Sequence, residues 1–174
     1  MPHEPAISVL IVMGVSGSGK STIAALLANR LGWTFEDADW FHPQSNVDKM
    51  HSGQPLTDAD RWPWLEAIAR YIDSVRQAGD HSVIACSALK RAYRDILIGD
   101  RPDVRLIYLK GQHDLIMRRL AVRHDHFMPP QLLDSQFAAL EEPGVAERPI
   151  TVSIAPRPRE IVGEVLSQLD ITAS

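Results

Sequence analysis

The chain has 174 residues and is short of several things, and each shortage removes a class of explanation. It holds a single cysteine, Cys86, so no disulfide can close within it, and a reducing compartment such as the cytoplasm is the expected setting. It has no basic excess: 18 Lys and Arg stand against 22 Asp and Glu, a net charge of −4. That balance argues against a nucleic-acid partner but leaves room for a local cationic pocket. No apolar run approaches the roughly 20 residues that cross a bilayer, so no membrane association is expected. Residues 1–6 lack the basic start of a secretory leader. Internal repeats, low-complexity tracts and long linkers are also missing. The remainder, 45% hydrophobic and 23% charged residues, is the composition of a globular protein. Its length suggests one domain over 1–174 with a real core.

Against that plain background one segment stands out. Gly14, Val15, Ser16, Gly17, Ser18, Gly19, Lys20 and Ser21 spell a complete G-x-x-x-x-G-K-[ST] loop, and Thr22 comes directly after it. An apolar run, residues 7–13, precedes the loop, and a helical pattern succeeds it. That strand–loop–helix setting separates a working phosphate loop from a chance match. Glycines let backbone N–H groups curl around a phosphate, and the next helix aims its positive end at the same anion. Lys20 is expected to reach the β- and γ-phosphates of a nucleoside triphosphate, and the Ser21 hydroxyl to ligate Mg²⁺.

Elsewhere strands and helices alternate. Strands are predicted at 7–13, 33–36, 82–85, 104–109 and 150–154. Helices are predicted at about 20–31, 47–52, 58–77, 89–97, 114–121, 131–140 and 159–169, with 37–46 as loop. Trp64, Leu65, Ile68, Ile72 and Val75 form a core-facing stripe at helical spacing. Alternation of this kind predicts an α/β fold, a parallel sheet with helices on both faces. Ligands then gather at the carboxyl ends of the strands, where segments 14–21, 37–42, 86–91 and 155–157 fall.

Those segments supply the candidate chemistry. Asp37 and Asp39, two apart in what reads as an extended stretch, would point the same way. One would take or orient the proton of an acceptor hydroxyl, and the other would hold a metal-bound water. His42 is next, placed to donate to a polar substrate. Lys49, Asp58, Asp60 and Arg61 lie further on; the two acids suit a helix start, whereas Arg61 there runs against the dipole and suits an anionic ligand. Trp62-Pro63-Trp64 reads as packing, with Pro63 near the first turn. Cys86 reads as a small buried residue, because nothing in the sequence supplies it with a base. Ser87, Lys90 and Arg91, with the N–H groups of the helix they open, form a second anion site. Arg119 and Arg123 share one helix face at the edge of a basic segment that can close over phosphates. His124, Asp125 and His126 are too local a cluster for a metal site.

Together these stretches resemble the bacterial thermoresistant-type gluconokinases. The likeness lies in Met13–Thr22, Asp37-Ala38-Asp39 with His42-Pro43, Asn46 with Lys49-Met50, Asp58 with Asp60-Arg61, and Pro63-Trp64-Leu65. It continues through residues 85–91, Tyr93-Arg94-Asp95, His126-Phe127-Met128 and Ser135-Gln136-Phe137. The resemblance implies a five-stranded nucleoside-monophosphate-kinase-like P-loop fold with a lid near 119–130, a homodimer, and ATP-dependent phosphorylation of D-gluconate. It assigns Lys20, Asp39 and Arg123 to catalysis. Residues 14–22, Arg119, Pro156 and Arg157 fall to the nucleotide. Asp39, His42, Lys49, Arg61, Ser87, Lys90, Arg91 and His126 fall to the sugar acid. Two other readings stay open at this point: another small-molecule kinase of the same fold, such as a shikimate kinase, and a GTP-hydrolysing switch. The second lacks its N-K-x-D motif, since Asn46-Val47-Asp48-Lys49 has the wrong order.

Overall fold

The computed structural model describes residues 6–122 and 130–169. Within them the chain runs β1 (Val9–Met13), α1 (Lys20–Leu31), β2 (Thr34–Asp37), a 3₁₀ turn (Ala38–Phe41), α2 (Gln44–His51) and α3 (Asp58–Ala78). It continues with β3 (Ser82–Ala85), α4 (Arg91–Leu97), β4 (Val104–Lys110), α5 (His113–Val122) and α6 (Pro130–Ala139). A second 3₁₀ turn (Val145–Glu147), β5 (Ile150–Ser153) and α7 (Pro158–Leu169) complete it.

The five strands form one sheet in the order β2-β3-β1-β4-β5, and every pairing is parallel. Strand β1 is buried along its whole length. Because strand side chains alternate, its two faces feed two separate cores. Leu10 and Val12 pack with Ile23, Leu27, Val162 and Val165 from α1 and α7. Val9, Ile11 and Met13 pack with Trp64, Leu65, Ile68 and Ile72 of α3 and Leu97 of α4. Helices therefore cover both faces, as the alternation predicted.

The parallel arrangement sends all carboxyl ends to one edge. Gly19, at φ 92°, sits just ahead of α1 in a left-handed conformation that an L side chain resists. Its placement lets the chain leave β1 and turn straight into α1 with the helix N-terminus facing the loop.

Two local expectations change. The segment 37–46 is not a loop: β2 extends to Asp37, whose carboxylate accepts the Asp39 N–H at 2.9 Å and so caps a 3₁₀ turn, and α2 then starts at Gln44. Helix α4 begins at Arg91 rather than 89, because Lys90 is extended at φ −102° and ψ 146°, after a turn in which Ala88 takes a positive φ of 44°. Pro63, expected near the first turn of α3, lies in the second, where its missing N–H and its ring count against a helix. The helix runs through it because its start is well anchored. The Thr57 hydroxyl accepts the Asp60 N–H and the Asp60 carboxylate accepts the Thr57 N–H, a reciprocal capping box. Trp64 and Leu65, just beyond the proline, are locked in the core.

Candidate active site

The phosphate loop is compact. Lys20 is partly buried and its Nζ donates to the Val15 carbonyl at 3.1 Å, folding the side chain back over the loop. Burial pulls its pKa below the ordinary lysine value, against the opposing pull of Asp39. A Cβ on Gly14 would come within 2.6 Å of the Ser18 hydroxyl, so only glycine permits this curl. Ser18 Oγ itself is buried and makes no hydrogen bond among the described residues.

Asp37 and Asp39 take different positions instead of the shared extended geometry expected of them. The Ser21 hydroxyl donates to Asp37 at 3.1 Å. That pair of hard oxygens matches what Mg²⁺ takes from a protein beside phosphate ligands. Asp39 lies within the 3₁₀ segment, near the Lys20 ammonium and the His42 ring. Burial raises its pKa above the carboxylate norm and the Asp37 charge adds to this, while His42 and Lys20 oppose it. A raised carboxylate suits a proton acceptor working near neutral pH.

His42 stacks on Trp64 with ring centroids 4.3 Å apart and 13° between planes. The Trp64 indole N–H donates to the Ala38 carbonyl at 2.7 Å, so one residue of α3 fixes both the 3₁₀ turn and the histidine. Beyond packing, then, Trp64 builds the site.

The cationic candidates come together around acids of the chain. Lys49 pairs with Asp60 at 2.7 Å. Arg61 and Lys90 both approach Asp58 at 3.4 Å, and the Tyr93 hydroxyl also donates to Asp58. These contacts hold the Asp58 and Asp60 carboxyls below their usual range, Asp60 at about 2. The cluster is an array of donors already arranged around a carboxylate. Ser87 comes after β3 and the buried Cys86, whose thiol burial pushes up to about 12, out of nucleophilic range.

Arg91 departs from its expected place. Its N–H donates to the Glu141 carboxylate at 2.9 Å, so the start of α4 is already occupied by an anion of the chain. Its side chain lines a separate cleft of about 210 Å³ with Arg101 and Asp95. On the other side of the phosphate loop, Arg119, Pro156 and Arg157 line a cleft of about 360 Å³ with Gly17, Gly19, Thr22 and Ile161. Arg119 leans across it to the Ala155 carbonyl at 3.5 Å. Arg123 and His126 lie outside the described residues, as does most of the expected lid.

Two residues that the sequence did not single out for the site stand out. Gln136 of α6 accepts the Ser16 N–H at 2.6 Å and donates to the Ser16 hydroxyl at 2.8 Å, bracing the phosphate loop. Arg94 is 2% exposed and paired with Glu147 at 2.6 Å. Its Nη1 donates to the Ala88 and Leu89 carbonyls at 2.8 and 3.1 Å, holding the strained turn before Lys90. No local pattern announces either: these contacts join residues 120 and 53 apart in sequence. Arg94→Leu strands a largely buried carboxylate and two carbonyls. Its expected cost is about 3–5 kcal/mol, a fall in melting temperature of roughly 10 °C in a thermal scan. An unchanged midpoint would show that the pair carries no stability.

Similarity to known proteins agrees with this geometry. The family model described as shikimate kinase matches residues 16–169. The chain is 46% identical over 157 residues to the gluconokinase of Gluconobacter oxydans (strain 621H), spanning 90% of this chain and 88% of that one. It is 43% identical over 163 residues to the thermoresistant gluconokinase of Escherichia coli (strain K12), spanning 94% and 92%. The crystal structure of a gluconokinase from Sinorhizobium meliloti 1021 superposes with a TM-score of 0.85 at 40% identity, over 97% of this chain and 94% of the other.

Proposed function

The chain belongs to the gluconokinase family, a branch of the group that the shikimate kinase model describes, and we propose that it transfers the γ-phosphate of ATP to D-gluconate, giving 6-phospho-D-gluconate. The observation that carries this reading is the placement of Asp39. It has a raised pKa, feels both Lys20 of the phosphate loop and His42, and follows β2 at the sheet edge where the phosphate loop opens. A shikimate substrate is the weaker alternative, since the relatives at 43–46% identity are gluconokinases.

In this proposal the phosphate loop, residues 14–22, holds the triphosphate, and Arg119, Pro156 and Arg157 line the nucleoside side. Ser21 and Asp37 would hold Mg²⁺, which would offset phosphate charge. Lys20 leaves the Val15 carbonyl and meets the transferring phosphate. Asp39 accepts the proton of the attacking hydroxyl, and His42 donates to that or a neighbouring hydroxyl. The basic segment 119–130, with Arg123 and His126, serves as a lid over a single kinase domain. Homodimer assembly rests on the family resemblance, and a cytoplasmic setting on the lone, buried Cys86.

Arg61, Lys49, Lys90 and Ser87 form the sugar-acid side. The carboxylate of gluconate replaces Asp58 between Arg61 and Lys90, where planar and point-charge donors already converge. Arg61→Ala is expected to raise KM for gluconate about tenfold or more and to leave KM for ATP nearly unchanged. A shift confined to ATP moves Arg61 to the nucleotide. The function as a whole is tested by a coupled assay of a panel of sugar acids with ATP and Mg²⁺. Turnover of gluconate above the others supports it, and preference for shikimate overturns it.

A further inference from the structure

Asn46 is 2% exposed, a buried polar side chain on a short surface helix. Its amide nitrogen lies 2.8 Å from the Asp60 carbonyl oxygen and 3.2 Å from His42 Nδ1. A carbonyl only accepts, so the atom facing Asp60 is the amide nitrogen and not its oxygen. That nitrogen carries two hydrogens. One is taken by Asp60, and the other points at His42 Nδ1, which must therefore present a lone pair. We propose that Asn46 is a positioning residue for the sugar acid: it holds His42 in the Nε2–H form, so that the ring offers the substrate one N–H donor from a fixed direction.

Three further observations bear on this. The ring plane is fixed, because it is stacked on Trp64 and Trp64 is itself tied to Ala38, and only the orientation with Nδ1 toward Asn46 gives that amide an acceptor there; turned over, the ring would present Cδ2. The other charged groups acting on the ring are Asp39 of the 3₁₀ turn and Arg61 of α3, both on the proposed substrate side. Burial, and with it Arg61, lowers the His42 pKa against the pull of Asp39, so the ring is neutral at pH 7. A doubly protonated ring would set an Nδ1–H against the Asn46 N–H, donor against donor. The result is a pair that reads a hydroxyl by polarity. Asp39 accepts its proton while His42 donates to its lone pair. A carboxylate at the same spot would be repelled by Asp39, and an ammonium would find no acceptor in His42.

The inference rests on the gluconate reading of the site, and its test is built so that the two fail separately. In full-length protein labelled with ¹⁵N-histidine, long-range ¹H–¹⁵N correlation reads which ring nitrogen carries the proton. His42→Gln identifies the His42 signals among the seven histidines. The expected result is an unprotonated Nδ1 and a protonated Nε2. A protonated Nδ1 overturns the proposal, whatever the substrate. Asn46→Leu keeps the volume and removes the donor. It should mix the two ring forms and raise KM for gluconate about tenfold, with KM for ATP unchanged. An unmixed ring with unaltered gluconate KM overturns the proposal. If Asn46→Leu does not fold, the wild-type spectrum decides alone. His42→Gln, whose amide can place an N–H near the old Nε2, should bind gluconate better than His42→Asn; the reverse order also overturns it. Failure of the wild type to phosphorylate gluconate sinks the substrate reading and leaves the ring-form result standing.

Discussion

Lys20→Ala is expected to lower turnover by at least about 10²-fold while the far-UV circular dichroism stays that of the wild type. The size reflects the loss of one preorganised charge at the transferring phosphate. The preserved fold reflects where Lys20 sits. Among the described residues its ammonium makes one hydrogen bond, to Val15, and its desolvation already counts against the charged form. Removing it relieves that penalty and strands no partner that holds the core. Single-turnover measurement with ATP and gluconate gives the rate directly. A variant that turns over near the wild-type rate would end the assignment of this loop to catalysis.

Asp39→Asn is expected to lower kcat by about 10²–10⁴-fold with little change in KM, the usual worth of a positioned base. The substitution keeps the shape and removes the charge. The pH profile adds a second check. Because the Asp39 pKa is raised, the working carboxylate is present above that elevated value and lost as pH falls through it. The acid limb of kcat should therefore lie above the ordinary carboxylate value of about 4, and it should vanish in Asp39→Asn. Asp37→Asn should cost less and should show itself differently, as a higher Mg²⁺ requirement, since Asp37 faces Ser21. If Asp37→Asn proves the more damaging in single turnover, the base is Asp37.

Much of this molecule is legible from residues close together in sequence. The phosphate loop, the five strands and the core stripe of α3 are signalled by motifs and periods within short windows. So is the gathering of loops at one sheet edge, because parallel order comes with alternation. The features that escape depend on distant partners. The 3₁₀ turn at 38–41 is capped locally by Asp37, but it is held by Trp64, which reaches back to Ala38 in a contact no local pattern encodes. Ala88 tolerates its unusual backbone because Arg94, itself neutralised by Glu147, holds the carbonyls beside it. Arg91 reads as part of a second anion site by its position, but Glu141, fifty residues on, occupies that helix start. Gln136 lies in a stretch that carries the family likeness, but nothing near it in sequence gives its role; only the fold brings it to Ser16.

The place of β1 in the sheet has a consequence for how the protein comes into being. The first strand made is the middle one, and its two neighbours are β3 and β4. As the chain leaves the ribosome, five consecutive apolar residues, Val9–Met13, wait unpaired until Ser82–Ala85 and then Val104–Lys110 have been synthesised. Pairings so far apart close slowly, and an unpaired apolar strand is open to association with other chains meanwhile. Aggregation during rapid synthesis should therefore respond to the hydrophobicity of this one strand more than to changes at either sheet edge.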